Sequence, residues 1–295
     1  MILFEPTAFD LSAIGTGVVN GLVLGSLYAL ASLGLALIFG VLDIINFAHG
    51  DILMISSYIV YLVALSTGNP WIALLSSLAL FALFGAGVYR GIIHYVLGKE
   101  PLIQIAITVG LGLILQNLAL ALFRAEPRAL PSTLFPYPLS IGPLTLSANR
   151  VFVALVSIIL CILVHYYSTR TKLGLASRAV AENREAAWLM GINVPLIYMA
   201  TFTIGVLLTT TAAFLWMQIG PVDPYLGTIF GLLCWIIVAL GGLGGVAGII
   251  ASGFIIGVLD SLGSIFLTPS GKYIPMYIAF ILTIWFKPRG LFGRR

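Results

Sequence analysis

A cluster of charged side chains lies between residues 170 and 193 of a 295-residue sequence in which only 8% of the residues are charged. Such side chains form ion pairs and hydrogen bonds with water or with another protein. A bilayer core does not accept them at this density, because each Arg, Lys or Asp at mid-helix costs about 2.5 to 3.5 kcal/mol. This charged segment (residues 170–193) is therefore predicted to lie outside the membrane, and it contains Arg170, Lys172, Arg178, Glu182, Arg184 and Glu185.

A single amphipathic helix is the predicted structure of residues 176–190, which contain five Ala and neither Gly nor Pro. Gly191 supplies a C-terminal stop, and Pro195 follows shortly after it. The pattern fits either an ordinary solvated loop helix or a helix that docks on a cytoplasmic partner. Helical spacing places Arg178, Glu182 and Glu185 on one face and Ala179, Ala186 and Met190 on another.

A polar interruption at residues 43–51 separates the first two apolar runs and contains no Lys or Arg. Non-helical backbone at membrane depth is tolerated where it lines a cavity or is buried in protein. Asn46, His49 and Asp51 are therefore candidates for a transport path or its gate. The alternative is a tight turn in which Asn and Asp act as local caps.

Further polar features lie within the later apolar runs. The apolar run that contains Asp260 has enough apolar residues to insert into the membrane, but the Asp260 side chain is expected to face protein or water rather than lipid. The Gly-rich run at 241–248 is a second interruption, and Gly244 within it is a candidate path residue because paired breaks mark substrate paths in some transporters. Interhelical hydrogen bonds are expected for three amides in the fourth run, Gln104, Gln116 and Asn117.

The composition, 60% hydrophobic with a mean hydropathy of +1.13, predicts a polytopic membrane protein. We expect an all-α bundle of about eight to ten spans with broken or re-entrant helices, forming one domain over residues 1–295. Small residues spaced four apart, such as Gly21 with Gly25 and Gly253 with Gly257, predict close helix packing. Nine apolar runs are long enough to be candidate spans: 12–40, 51–66, 70–89, 102–123, 150–168, 195–219, 227–240, 249–267 and 273–286.

The distribution of Lys and Arg predicts an outside N-terminus and a cytoplasmic C-terminus. With that orientation the inner connections hold ten basic residues and the outer ones four, as the positive-inside rule requires. The charged segment is then cytoplasmic. The outer connection at 124–149 contains five prolines, which predict a stiff external ledge that serves as a receptor landing site or as a compact cover.

The sequence lacks the motifs of an enzyme or an ATPase. No G-x-x-x-x-G-K-[ST], H-E-x-x-H or G-x-S-x-G motif is present. Cys161 and Cys234 lie in apolar runs and support neither a disulfide nor a metal site. We therefore expect no enzymatic activity, cofactor or metal in this chain, and any energy coupling has to come from another polypeptide.

Three stretches resemble the branched-chain amino-acid ABC transporter permeases. They are the run from Gly25 to Gly40 followed by Asn-Phe-Ala-His-Gly-Asp at 46–51, the run Gly-Leu-Ala-Ser-Arg-Ala-Val-Ala-Glu-Asn-Arg-Glu-Ala-Ala-Trp-Leu-Met-Gly at 174–191, and the tail Lys-Pro-Arg-Gly-Leu-Phe at 287–292. The resemblance extends over nearly the whole chain.

The resemblance implies an inner-membrane permease that pairs with a second, related permease. It also implies two cytoplasmic ATPase subunits, which bind ATP and Mg²⁺, and an external amino-acid-binding protein. Within the charged segment, the resemblance implies a coupling helix that sits in a groove of the ATPase. Its residues would be Arg178, Glu182, Asn183, Glu185, Ala186, Ala187 and Gly191.

Two departures from the family pattern leave the substrate open. Asp51 stands where Glu is commoner, and Gly-Gly-Val-Ala-Gly at 244–248 replaces the more usual Gly-Ser-Ile-Pro-Gly. Permeases for urea and short amides look much alike here, so they remain an alternative to carriers of branched-chain or other neutral amino acids. A second alternative is a stand-alone transporter or channel that uses His49, Asp51 and Asp260 as an ion or proton relay.

Overall fold

The computed structural model describes residues 11–141, 144–242, 245–268 and 271–293, with side chains from residue 14 onward and excluding those of 140–145. Gly244 lies outside the described residues. The helices are α1 Leu11–Leu42, α2 His49–Thr67, α3 Pro70–Val88, α4 His94–Val96, α5 Pro101–Phe123, α6 Ala148–Arg170, α7 Lys172–Glu182, α8 Arg184–Leu189, α9 Val194–Met217, α10 Leu226–Gly241, α11 Val246–Phe266 and α12 Ile274–Phe286. A π-helical turn, Tyr89–Ile93, joins α3 to α4, and two short strands are β1 Pro138–Ile141 and β2 Leu144–Ser147.

The predicted all-α membrane bundle is confirmed. Within the described residues, seven helices are long and apolar enough to cross a membrane, and α10 and α12 are shorter apolar helices. The 16 residues of α10 extend about 24 Å and the 13 of α12 about 20 Å. Both helices fall short of the ~30 Å hydrocarbon core. All nine predicted apolar runs are therefore helical, but two of them do not span the bilayer alone.

Helix α1 lies at the centre of the bundle and packs against α6, α9, α10 and α11. Its closest neighbour is α11, and glycines on both helices allow their backbones to meet. A Cβ atom added to Gly21 would lie 2.6 Å from the Cα of Val258, and one added to Gly25 would lie 2.7 Å from the Cα of Phe254. The close packing predicted from the glycine spacing is confirmed at this seam.

Contacts between helices define two ends of the bundle. At one end, here called the charged end, the charged segment lies beside the α3–α4 region and the start of α9. The C-terminal tail reaches the end of α10, where the Leu291 N–H donates to Leu240 O at 2.7 Å. At the opposite end, here called the hairpin end, Ser261 Oγ of α11 donates to Gly17 O of α1 at 2.7 Å.

The Pro-rich connection covers the hairpin end. Strands β1 and β2 pair antiparallel, a hairpin that the sequence did not predict. Arg128 and Val222 exchange two backbone hydrogen bonds of 2.8 Å, which hold the connection against the segment between α9 and α10. The backbone N–H of Phe135 donates to Asn149 Oδ1 at 2.8 Å. These bonds make the connection a compact cover fixed to the bundle.

Candidate functional site

The charged segment contains two helices, so the prediction of one helix over residues 176–190 is wrong. Helix α7 ends at Glu182, and Asn183 takes an extended conformation with φ −153° and ψ 104°. Its Oδ1 accepts a hydrogen bond of 2.9 Å from the N–H of Ala186, which makes Asn183 the N-cap of α8. An amide side chain that competes for backbone donors has interrupted an otherwise helical sequence.

This break changes which side chains share a face. Arg178 and Glu182 lie on α7 whereas Glu185 lies on α8, so the three do not form the predicted single stripe. The predicted stop is confirmed. Gly191 has φ 83°, a left-handed conformation that favours glycine, and Pro195 lies in the first turn of α9.

The charged segment is attached to the bundle through its small and apolar side chains. Val180 and Ala187 are buried in a hydrophobic cluster that includes Phe202 of α9. Ser177 Oγ lies 3.3 Å from Thr201 Oγ1 of α9. These contacts attach the charged segment directly to α9.

Six of the seven residues predicted to contact an ATPase are exposed. Ala187 is the exception: it is only 4% exposed and packs α8 onto the bundle. The exposed residues are Arg178, Glu182, Asn183, Glu185, Ala186 and Gly191.

Sequence reasoning missed the most exposed apolar surface of the charged segment. Trp188, Leu189 and Met190 are 68%, 77% and 83% exposed. Beside them, α8 and the start of α9 form a groove of about 720 Å³ with the π-helical turn and with α4, lined by Tyr89 and Arg184 among others. The signal was available: three large apolar residues in a row cannot all be buried by one helix face. Exposed apolar surface of this kind marks interaction sites.

The interruption at residues 43–48 is partly buried: Ile44, Asn46 and Ala48 are buried, whereas Asp43 and Phe47 are exposed. Its backbone groups are paired by side chains of α5. The Ile45 N–H donates to Gln104 Oε1 at 3.2 Å, the Phe47 N–H donates to Thr108 Oγ1 at 3.2 Å, and Thr108 Oγ1 donates to Ile45 O at 3.0 Å. Gln104 therefore bonds to the non-helical segment between α1 and α2, in place of the interhelical bond that was expected. Asn117 instead donates to Leu113 O of its own helix at 2.8 Å.

Asn46 and His49 are both buried, but their surroundings differ. His49 Nε2 lies 3.0 Å from Ala31 O of α1 and 3.0 Å from Thr209 Oγ1 of α9. Among the described residues, neither amide atom of Asn46 has a hydrogen-bond partner. No side chain caps α2, whose N-cap is Ala48. The alternative in which Asn46 acts as a local cap is therefore wrong.

Asp51 lies where α2 passes between α5 and α10. A Cβ atom added to Gly112 of α5 would collide with its Oδ2, and one added to Gly227 of α10 would collide with its Oδ1. The neighbouring Gly50 meets the backbone of α10 at Gly227 and Gly231. Within the described ranges, the Asp51 carboxylate forms no ion pair. The ion pair that those ranges contain joins Arg128 and Glu126.

Asp260 is buried against protein, as the sequence predicted. It is 4% exposed, and its Oδ2 accepts a hydrogen bond of 2.9 Å from the Tyr28 hydroxyl. It lies at the α1–α11 seam, whereas Asp51 lies between α5 and α10. Asn46, His49 and Asp51 therefore lie in or next to the broken segment, whereas Asp260 lies elsewhere and bonds to Tyr28.

Among the described residues, no group of three or more His, Cys, Asp or Glu side chains could hold a metal ion.

These features define a multi-pass helical membrane protein with a partly buried polar break and a charged surface segment. The family model for "Branched-chain amino acid transport system / permease component" matches residues 17–284. The chain belongs to this family and is a permease of an amino-acid transport system.

Similarity to characterised relatives extends over almost the full chain. The high-affinity branched-chain amino acid transport system permease protein BraD of Pseudomonas aeruginosa is 30% identical, and the match covers 94% of each chain. LivH of Escherichia coli K12, a protein with the same descriptive name, is 28% identical over 93% of this chain and 94% of its own. The probable permease LivH of Methanocaldococcus jannaschii is 27% identical over 93% and 91%. No solved structure gives a significant match.

Proposed function

We propose that this chain is the membrane subunit of an ATP-driven importer for branched-chain or other neutral amino acids. Separate cytoplasmic ATPase subunits bind ATP and Mg²⁺, and this chain supplies the path. The relatives named above support the substrate class, since their names describe high-affinity branched-chain amino acid transport. The observation that carries the proposal is the charged segment, whose exposed charges and exposed Trp188–Met190 stand on two short helices attached to α9.

A continuous series of contacts supports a mechanism of coupling. Ser177 of the charged segment contacts Thr201 of α9 at 3.3 Å, and Thr209, two turns further along α9, lies 3.0 Å from His49 of α2. One residue beyond His49, Gly50 packs on the backbone of α10. An ATPase that moves the charged segment therefore shifts α9, α2 and α10 in turn. In this mechanism, ATP binding exchanges inward and outward openings of the bundle.

The proposed assembly contains a second, related permease subunit and an external amino-acid-binding protein. The proposed site is the inner membrane, with the N-terminus outside and the C-terminus in the cytoplasm. The basic side chains support this orientation: Arg184 of the charged segment and the tail that holds Lys287 and Arg289 lie at the charged end. Positive charge favours the cytoplasmic side of a membrane.

Charge reversal in the charged segment tests this function. We expect Glu182→Lys combined with Glu185→Lys to release the ATPase subunits from the tagged permease during affinity purification, because both carboxylates are exposed. Membrane insertion should not change. Glu100→Lys is the matched control, since Glu100 is equally exposed in the connection between α4 and α5. Unchanged recovery of the ATPase with the doubly reversed permease contradicts the docking role.

The substrate class is tested by competition. Cells that lack this subunit, and the same cells complemented with it, are assayed for radiolabelled leucine uptake in the presence of leucine, alanine, glutamine or urea. We expect complementation to restore uptake that neutral amino acids compete for. Complementation that restores uptake of radiolabelled urea but not of radiolabelled leucine assigns the chain to the transport of urea or short amides.

A further inference from the structure

A polar patch lies on the surface of the bundle at mid-membrane depth. Gly112 is the middle residue of α5, and Gln116 follows it by one helical turn. Gln116 Nε2 lies 3.5 Å from Thr228 Oγ1 of α10. Thr228 and the adjacent Asn117 are exposed. Elsewhere, α5 turns apolar side chains such as Ile114 and Leu118 outward.

Lipid is an unsuitable neighbour for this patch. Helix α10 begins at the same depth. Its second residue, Gly227, contacts Asp51, and Asp51 also contacts Gly112 in the middle of α5. The chain between Met217 and Leu226 is therefore non-helical within the outer half of the membrane. Backbone of this kind is tolerated only where protein covers it or where it lines a water-filled cavity. The Pro-rich connection covers part of this non-helical segment through Arg128 and Val222. The exposed polar side chains of Asn117 and Thr228 beside it favour a water-filled cavity.

Asp51 reaches this patch from within the bundle. Its side chain is partly exposed, and its carboxylate lies between Gly112 and Gly227, the residues next to the patch on both helices. The absence of a Cβ atom at either glycine lets the backbones of both helices approach the carboxylate. Close by in sequence, the buried amide of Asn46 has no hydrogen-bond partner among the described residues. A partly buried carboxylate without a protein counter-charge and a buried amide without a partner are each costly unless a ligand completes their interactions.

We propose that the patch formed by Gln116 and Thr228 lines the path of the transported amino acid, and that Asp51 receives its ammonium group. This inference rests on the proposed function. Every neutral α-amino acid carries an ammonium cation whose transfer into a low-dielectric region is costly. A carboxylate without a protein counter-charge offsets that cost at the middle of the path. Because the contact involves the backbone of the ligand, it serves leucine and alanine alike.

Thiol labelling in the assembled transporter tests the assignment. Cys161 and Cys234, both buried, are replaced by Ala, and Thr228→Cys is introduced as the reporter. Membrane vesicles are treated with one of two methanethiosulfonate reagents, a cationic one with a trimethylammonium group or an anionic one with a sulfonate group. The labelling rate of each reagent is divided by its rate of reaction with a small free thiol. We expect the cationic reagent to react at least about tenfold faster than the anionic one, because the Asp51 carboxylate lies against the adjacent Gly227. In Asp51→Asn the ratio should approach one, and in Asp51→Glu it should persist.

Ile114→Cys is the matched control at the same depth, since Ile114 is exposed on the lipid side of α5 and should react with neither reagent. A second measurement needs no change at position 51: saturating leucine, delivered by the binding protein with ATP, should slow labelling of Thr228→Cys. Three results would each overturn the assignment: Thr228→Cys reacts as slowly as Ile114→Cys, the ratio of the two rates stays the same in Asp51→Asn, or leucine leaves the rate of labelling unchanged. Uptake assays on the same vesicles test the importer function separately. If the proposed importer function is wrong, the unsubstituted transporter shows no ATP-driven uptake.

Discussion

The hydroxyl group of Tyr28 donates a hydrogen bond of 2.9 Å to Asp260, two residues separated by 232 positions in the chain. The bond lies at the seam where α1 and α11 pack through glycines. It gives a membrane-embedded carboxylate a hydrogen-bond donor from the neighbouring helix. Asp260 is therefore assigned to the stability of the bundle, in contrast to Asp51.

Loss of this hydrogen bond should destabilise the protein. We expect Tyr28→Phe to lower the free energy of unfolding by about 1–2 kcal/mol, because the buried carboxylate loses its donor. Asp260→Asn should also be destabilising. Thermal unfolding of the detergent-solubilised permease, followed by size-exclusion chromatography, provides the measurement. Glu126→Gln is the control, since Glu126 forms an exposed ion pair with Arg128 that contributes about 0–1 kcal/mol. Equal tolerance of all three changes means that the bond is not a stabilising one.

A methyl group at the glycine seam should be disruptive. We expect Gly25→Ala to destabilise the fold by about 1–3 kcal/mol, because its Cβ would lie 2.7 Å from the Cα of Phe254 and the two helices would have to separate. Gly110→Ala on α5 meets no atom within 4 Å and should be neutral or slightly stabilising, since Ala favours helix. The amount of monodisperse protein and its melting temperature measure both effects. A Gly25→Ala protein as stable as Gly110→Ala refutes the seam.

The N-cap at Asn183 should matter for coupling as well as for local stability. We expect Asn183→Ala to cost about 1 kcal/mol of local stability, since the N–H of Ala186 loses its acceptor. The start of α8 then frays, and less ATPase should co-purify with the permease. Asn183→Asp retains the cap and should retain the ATPase. Loss of binding in Asn183→Asp but not in Asn183→Ala points to an amide contact with the partner in place of a cap.

The contact between Thr209 and His49 should transmit movement without affecting docking. We expect Thr209→Val, which preserves the shape of the side chain and removes the hydroxyl group, to reduce transport per ATP hydrolysed by about fivefold or more. Recovery of the ATPase with the permease should equal that of the parent, because the charged segment is unchanged. Thr211→Val on the same helix is the control, since Thr211 donates only to Leu207 O of α9. Identical effects of the two changes exclude a specific role for the contact with His49.

Much of the architecture was predictable because apolar runs and glycine spacing act locally. The nine helical runs, the seam of Gly21 and Gly25 with α11, and the stop at Gly191 follow from hydropathy, four-residue spacing and glycine conformation. The partly buried break before α2 was also predictable, because a polar stretch at membrane depth needs protein partners.

Long-range contacts set the limits of sequence reasoning. The break at Asn183 was missed because alanines on both sides favour one helix, and the outcome depended on which residues the bundle could bury. The position of Asp51 between Gly112 and Gly227 depends on three helices that are distant in the chain. The half-length of α10 depends on where the connection from α9 turns, which Arg128 fixes through its bonds to Val222.

Energy coupling through a partner is the central claim, and uptake in sealed vesicles tests it most directly. Right-side-out vesicles that contain the complete transporter are loaded with or without ATP and supplied with radiolabelled leucine and the binding protein, in the presence or absence of a protonophore. We predict uptake that requires internal ATP and is indifferent to the protonophore. Uptake that proceeds without ATP and disappears with the protonophore contradicts the account and identifies a transporter driven by the proton gradient.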